Sequence, residues 1–157
     1  MRDKVVNELR RLFPQVIEVD YLKRGYHAEV FLSAGEVRGF AAAMRDNRFY
    51  LSFVSAVHLA PAIEVVYQFA SHSFPCRVMG RVQVADDGTI PTISDIYEGA
   101  NWHERETKEM FGVVFSGHPC LEPLLLPEDA GDLKPLLKGE GKVKTAEQVR
   151  WQVDAEK

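Results

Sequence analysis

The apolar positions of the chain change period several times, and each change marks an element. From Asp3 to Phe13, Val5, Val6, Leu9, Leu12 and Phe13 recur at helical spacing with Lys4, Asn7, Arg10 and Arg11 opposite, which predicts an amphipathic helix. Pro14 ends it. Two alternating runs follow, Val16 to Leu22 and Tyr26 to Leu32, and Lys23-Arg24-Gly25 between them predicts a β-hairpin. Helical period returns from Gly35 to Arg45 through Val37, Phe40, Ala41 and Met44, and Asp46-Asn47 supplies a turn. Three strand-like segments come next: Phe49 to Leu59, Ile63 to Ser71 and Cys76 to Ala85. In the second, Ile63, Val65, Tyr67 and Phe69 alternate with Glu64 and Gln68, giving one buried and one wetter face.

Asp86-Asp87-Gly88 closes this sheet with a turn. The order α-β-β-α-β-β-β predicts an α+β fold, a two-layer domain with a mixed sheet and both helices on one face. Residues 1–88 form this core. Residues 89–138 are an irregular, helix-containing extension of the same domain, and residues 139–157 read as a polar tail, mobile or partner-dependent, because apolar positions become sparse there.

Within the extension, Asn101 is an N-cap candidate with Glu104 at the capping-box position, and Gly112 suits a left-handed helix end. A helix from Trp102 to Phe111 follows. It sets Glu104 against Lys108 and Arg105 against Glu109, with Trp102, Glu106 and Met110 along one stripe. Beyond it, Val113, Val114, Phe115, Leu121, Leu124, Leu125 and Leu126 are interrupted by Gly112, Gly117, Pro119, Pro123 and Pro127. An irregular apolar segment of this kind wraps its own sheet or lies against a second protein.

Composition narrows the chemistry. The 157 residues are 46% apolar and 27% charged with a net charge of −4, so neither disorder nor a whole-protein nucleic-acid field is indicated. Arg77 and Arg81 share a strand face with Gln83, but the aromatic interleaving of a single-strand platform is missing. Cys76 and Cys120 are far apart and outside any C-x-x-C pair, which predicts reduced thiols rather than a zinc or iron–sulfur ligand set. A metal reading has His103, Glu106 and His118 converging, although the residue four after His103 is Thr107, not the second histidine of a zincin. His27 and His72 read as a solvent-facing strand residue and a turn residue. No run approaches the roughly 18–20 apolar residues that span a bilayer.

Pro91-Thr92, Asp95, Ala100-Asn101-Trp102, Glu104-Arg105-Glu106, Glu109-Met110-Phe111-Gly112, Phe115, Gly117-His118-Pro119 and Pro127-Glu128-Asp129 together carry a resemblance. This pattern resembles the signature region of the thirty-kilodalton peripheral-arm subunit family, the C subunits of respiratory complex I, NADH:quinone oxidoreductase. The likeness covers roughly positions 2–138. A related subunit occurs in energy-converting membrane-bound [NiFe]-hydrogenases and formate hydrogenlyases, which is the alternative reading.

The resemblance implies a non-catalytic scaffold on the cytoplasmic face of the inner membrane, with complex I subunits D and B, or their hydrogenase relatives, as partners. It would pack on the first of these and lie near the second. Iron–sulfur clusters, FMN and quinone would then belong to partner subunits, with no cofactor, metal or catalytic residue in this chain. It further implies that Trp102, Glu104, Arg105, Glu106, Phe111, His118 and Pro119 are interface residues, with Arg105 offering a bidentate fork to a partner carboxylate.

Overall fold

A computed structural model describes residues 1–139 and 141–149. The first helix, α1 (Arg2–Leu12), buries Val5, Val6 and Leu9 and leaves Leu12 outside. Strand β1 (Gln15–Glu18) and strand β2 (Ala28–Leu32) pair antiparallel as expected. Their connection is longer than the predicted turn. Residues expected to be extended form a short helix, α2 (Tyr21–Arg24), because the Asp20 side chain accepts the Leu22 N–H and caps its start.

A single 3-10 turn, Ala34–Glu36, leads into helix α3 (Val37–Asp46). Strands β3 (Phe49–Ala60), β4 (Ile63–Ser71) and β5 (Arg77–Gln83) follow. The main sheet has the order β1-β2-β5-β4-β3, extended on the β3 side by a two-residue strand β8 (Lys144–Thr145). Strands β2 and β5 run parallel, as do β3 and β8, and the remaining pairs are antiparallel. The sheet is therefore mixed, as the α+β reading required.

Helices α1 and α3 bury their apolar stripes against one face of this sheet. Val5, Leu9, Val37, Phe40 and Met44 join Val30, Val65, Tyr67, Phe69, Val78 and Val82 in one core. The other face carries a smaller cluster of Tyr26, Val66 and Met79, and beside it Arg81 donates to Glu29, Glu64 and the Tyr26 hydroxyl. The guanidinium considered for nucleic acid is thus committed to two carboxylates of its own sheet.

Beyond the core, β6 (Thr89–Pro91) and β7 (Val114–Ser116) pair parallel on either side of helix α4 (Ala100–Phe111). The tail prediction changes for part of its length. Thr145 and Gln148 cap each other, Gln148 Oε1 accepting the Thr145 N–H at 2.9 Å and Thr145 Oγ1 accepting the Gln148 N–H at 3.2 Å. This reciprocal capping box and β8 give the segment local order that its sparse apolar pattern did not announce. Residue 140 and residues 150–157 of the expected mobile tail lie outside the described residues.

The tightest point of the two-layer core is Gly80 on β5. A Cβ there would stand 2.5 Å from Cε1 of Phe40. That ring is held edge-on by Phe13 and Phe69, so it has little room to retreat. Gly80→Ala is expected to destabilise the domain by about 1–3 kcal/mol, the range for overpacked cores, read as a lower midpoint in chemical denaturation.

Candidate docking site around helix α4

Helix α4 sends different residues in different directions, and the charged run sorts accordingly. Gly99 precedes it without a side-chain cap, so Asn101 and Glu104 do not form the predicted capping box. Gly112 does end it in the left-handed region at φ 83°, a conformation that a residue with a Cβ adopts at a cost.

Glu104 points inward and is fully buried. One carboxyl oxygen accepts the Ile93 N–H at 2.8 Å and the other meets the Thr92 hydroxyl in a short hydrogen bond. From the opposite side, Arg38 on α3 donates to the Thr92 carbonyl at 2.7 Å and forks onto Asp95 at 2.8 and 2.7 Å. The 92–95 loop is therefore clamped between two helices. Burial pushes the Glu104 carboxyl up to about 7, against the opposing pull of the Ile93 N–H and the Thr92 hydroxyl.

The His118 side chain is also fully buried. Its Nδ1 accepts the Cys120 N–H at 3.0 Å, so the neutral ring carries its proton on Nε2, which faces the Asn101 carbonyl at 3.2 Å. Burial lowers its pKa, and the Arg105 and Lys108 charges add to the effect. Glu104 lies 3.9 Å away, too far for a hydrogen bond. The two are neighbours in one buried polar cluster rather than an ion pair at neutral pH. Near them Tyr67 has a buried hydroxyl with no partner among the described residues.

The outer flank of α4 serves a different purpose. Arg105 donates to the carbonyls of Glu122 and Pro123 at 3.1 and 2.8 Å, and Lys108 donates to that of Leu121 at 2.6 Å. Glu109 accepts the N–H groups of Leu124, Leu125 and Leu126 at 3.1, 2.9 and 3.0 Å. Burial acts to raise the Glu109 pKa, but these three donors and the Arg105 charge outweigh it and hold the carboxyl below the usual glutamate range. Three side chains at i, i+3 and i+4 thereby satisfy six backbone groups of an irregular segment.

This geometry corrects several expectations. Glu104, Phe111 and His118 turn into the domain and offer no side chain to a partner. Arg105 forks onto its own chain's carbonyls, Glu104 bonds to the preceding Thr92 and Ile93 rather than to Lys108, and Lys108 and Glu109 reach the backbone of residues 121–126. Trp102 is 67% exposed, and Glu106 and Pro119 are also exposed. His103, Glu106 and His118 do not converge, and among the described residues no cluster of three His, Cys, Asp or Glu side chains is arranged to hold a metal. Sequence reasoning missed Glu109 and Thr92 as anchors. Both lie inside the signature pattern, but nothing in their spacing announces a backbone partner.

The fold is shared with a solved trypsin-resistant fragment (1–134) of Nqo5, at a TM-score of 0.64 and 27% identity over 77% of this chain and 100% of the fragment. It is also shared with a chain of the membrane-bound sulfane sulfur reductase, an archaeal respiratory membrane complex. That likeness has a TM-score of 0.68 and 22% identity, covering 99% and 92% of the two chains. These likenesses define a small α+β domain of the fold seen in both chains.

The chain belongs to the family described as respiratory-chain NADH dehydrogenase, 30 Kd subunit, which matches residues 30–144. The NADH-quinone oxidoreductase C subunit of Roseiflexus sp. (strain RS-1) is 35% identical over 133 residues, 80% of this chain and 76% of that protein. Three further curated relatives are matched over 40%, 41% and 56% of their lengths. Members of this family are subunits of multi-subunit respiratory complexes. No helix among the described residues is long and apolar enough to cross a membrane.

Two measurements check this account. Because the folded domain binds the Glu104 proton more tightly than the unfolded chain does, its stability falls as pH rises from the ordinary glutamate range to about 7. Glu104→Gln keeps both contacts, its carbonyl accepting the Ile93 N–H and its amide N–H donating to the Thr92 hydroxyl oxygen. It should remove this fall, on the order of 2–3 kcal/mol, from urea denaturation compared at pH 5 and pH 8. Glu109 has the opposite sign: its contribution is complete above the ordinary glutamate range and is lost in stronger acid. Glu109→Gln should speed amide exchange at Leu124, Leu125 and Leu126 by about tenfold or more at neutral pH while core strand amides stay protected.

Proposed function

We propose that the chain is a non-catalytic peripheral-arm subunit of a proton-pumping NADH:quinone oxidoreductase, complex I, in which it supports the quinone-reducing module. Its partners are subunits D and B, on the cytoplasmic face of the membrane. The iron–sulfur clusters, FMN and quinone of the reaction are bound by partner subunits. The hydrogenase-type alternative is not favoured, since the Roseiflexus relative, matched over most of its length, carries the NADH-quinone oxidoreductase name.

The observation that carries the docking role is where apolar surface remains exposed. Of twelve large exposed hydrophobic residues among those described, Trp102, Val114, Leu125, Leu133, Leu136 and Leu137 fall within one 36-residue stretch around α4. Apolar side chains concentrated on a segment pinned by its own helix form a preorganised surface for another protein. Trp102 is its best anchor, because a projecting indole buries much area with little entropy lost.

Trp102→Ala should leave the thermal midpoint of the lone chain within a few degrees, since the side chain is already mostly in solvent. It should weaken co-purification with the D and B subunits by about thirtyfold or more, equivalent to about 2 kcal/mol. Normal assembly of this variant would remove α4 from the interface.

A further inference from the structure

The segment after α4 does more than cover the helix flank. Between α4 and the turns that follow it lies a cleft of about 260 Å³, with Leu121, Pro123, Leu126, Pro127, Ala130 and Leu133 among its lining residues. This is smaller than the roughly 300–1,000 Å³ of small-molecule and cofactor sites. Its size suits one or two side chains.

The charges around it are unequally free. Arg105, Lys108 and Glu109 are committed to backbone groups of residues 121–126. The stem of Lys134 lies along Gly112, at the end of α4. Glu122, Glu128 and Asp132 remain around the cleft without an ion pair among the described residues. Apolar side chains thus line the cleft, and its rim carries these three unpaired carboxylates beside the cations Arg105, Lys108 and Lys134.

We propose that this cleft is a socket for a peptide segment of a partner subunit, which inserts one large apolar side chain, Leu or Phe, flanked by Lys or Arg. The inference rests on the docking role proposed above and specifies its chemistry. The socket is preformed because Glu109, Arg105 and Lys108 fix both its wall and its backbone before the partner arrives. The apolar knob supplies most of the affinity, and the basic flanks answer Glu122, Glu128 and Asp132 and set the register.

The test uses the full chain, co-expressed with the D and B subunits, and two variants that act on different parts of the socket. Ala130→Trp fills the cleft, and the double variant Glu128→Lys, Asp132→Lys reverses the rim. The expected result is a loss of about thirtyfold or more in affinity for the partner subunits in each, with the thermal midpoint of the double variant unchanged. Wild-type affinity in Ala130→Trp overturns the proposal. Should Ala130→Trp unfold early, the double variant decides in its place, and wild-type affinity there overturns it equally. If Trp102→Ala weakens assembly while both socket variants assemble normally, docking through α4 stands and the socket falls. A wild-type chain that is dimeric by light scattering and becomes monomeric in both variants would make a second copy the occupant and overturn the assignment to a partner subunit.

Discussion

The extension depends on one constraint: an irregular segment laid against a protein surface must find partners for every backbone group it takes out of water. Residues 121–126 have no strand neighbour to supply them. Arg105, Lys108 and Glu109 do so instead, two cations reaching three consecutive carbonyls and one carboxylate reaching three consecutive N–H groups. An unmet group costs about 1–3 kcal/mol where it is buried, so these bonds hold the segment against the helix wherever water is excluded. The flank of α4 acts as a substitute strand made of side chains.

For that to work α4 must itself be fixed, and it is held from beneath. Glu104 ties it to the Ile93 N–H and the Thr92 hydroxyl, Arg38 closes the same loop from α3, and His118 joins the loop after β7 to Asn101 at the start of the helix. Phe111, Ala100 and Phe115 continue the apolar core that the sheet shares with α1 and α3. Rigidity therefore passes from the sheet, through a buried polar clasp, to the outer segment.

This arrangement explains how residues that look reactive in sequence serve the fold. A buried glutamate beside a buried histidine resembles an acid–base pair, yet each is committed: the histidine nitrogens to two backbone groups, the carboxylate oxygens to an N–H and a hydroxyl. What remains outward is Trp102, Glu106, Pro119 and a group of leucines, a surface suited to protein contact.

The sequence by itself determined the elements whose cause is local. The core side of β4, Val65, Tyr67 and Phe69, and period 3.6 around Phe40 follow from which side of a strand or helix meets the core, and Gly112 was legible because only a left-handed residue ends α4 that way. The wetter face expected for β4 is instead buried, Glu64 beneath Arg81 and Val66 beside Tyr26 and Met79. The irregular segment after α4 was legible too, as apolar residues crowded between turn formers. Tertiary structure alone decided what the charges do. Glu104, Glu106 and Glu109 are chemically identical and within five residues of one another, yet one is buried, one exposed, and one caps a distant backbone. Helical spacing predicts their nearest neighbours on α4, but the stronger partners are the Thr92 hydroxyl, the Ile93 N–H and the backbone groups of residues 121–126, and those arrive only when the chain folds back on itself.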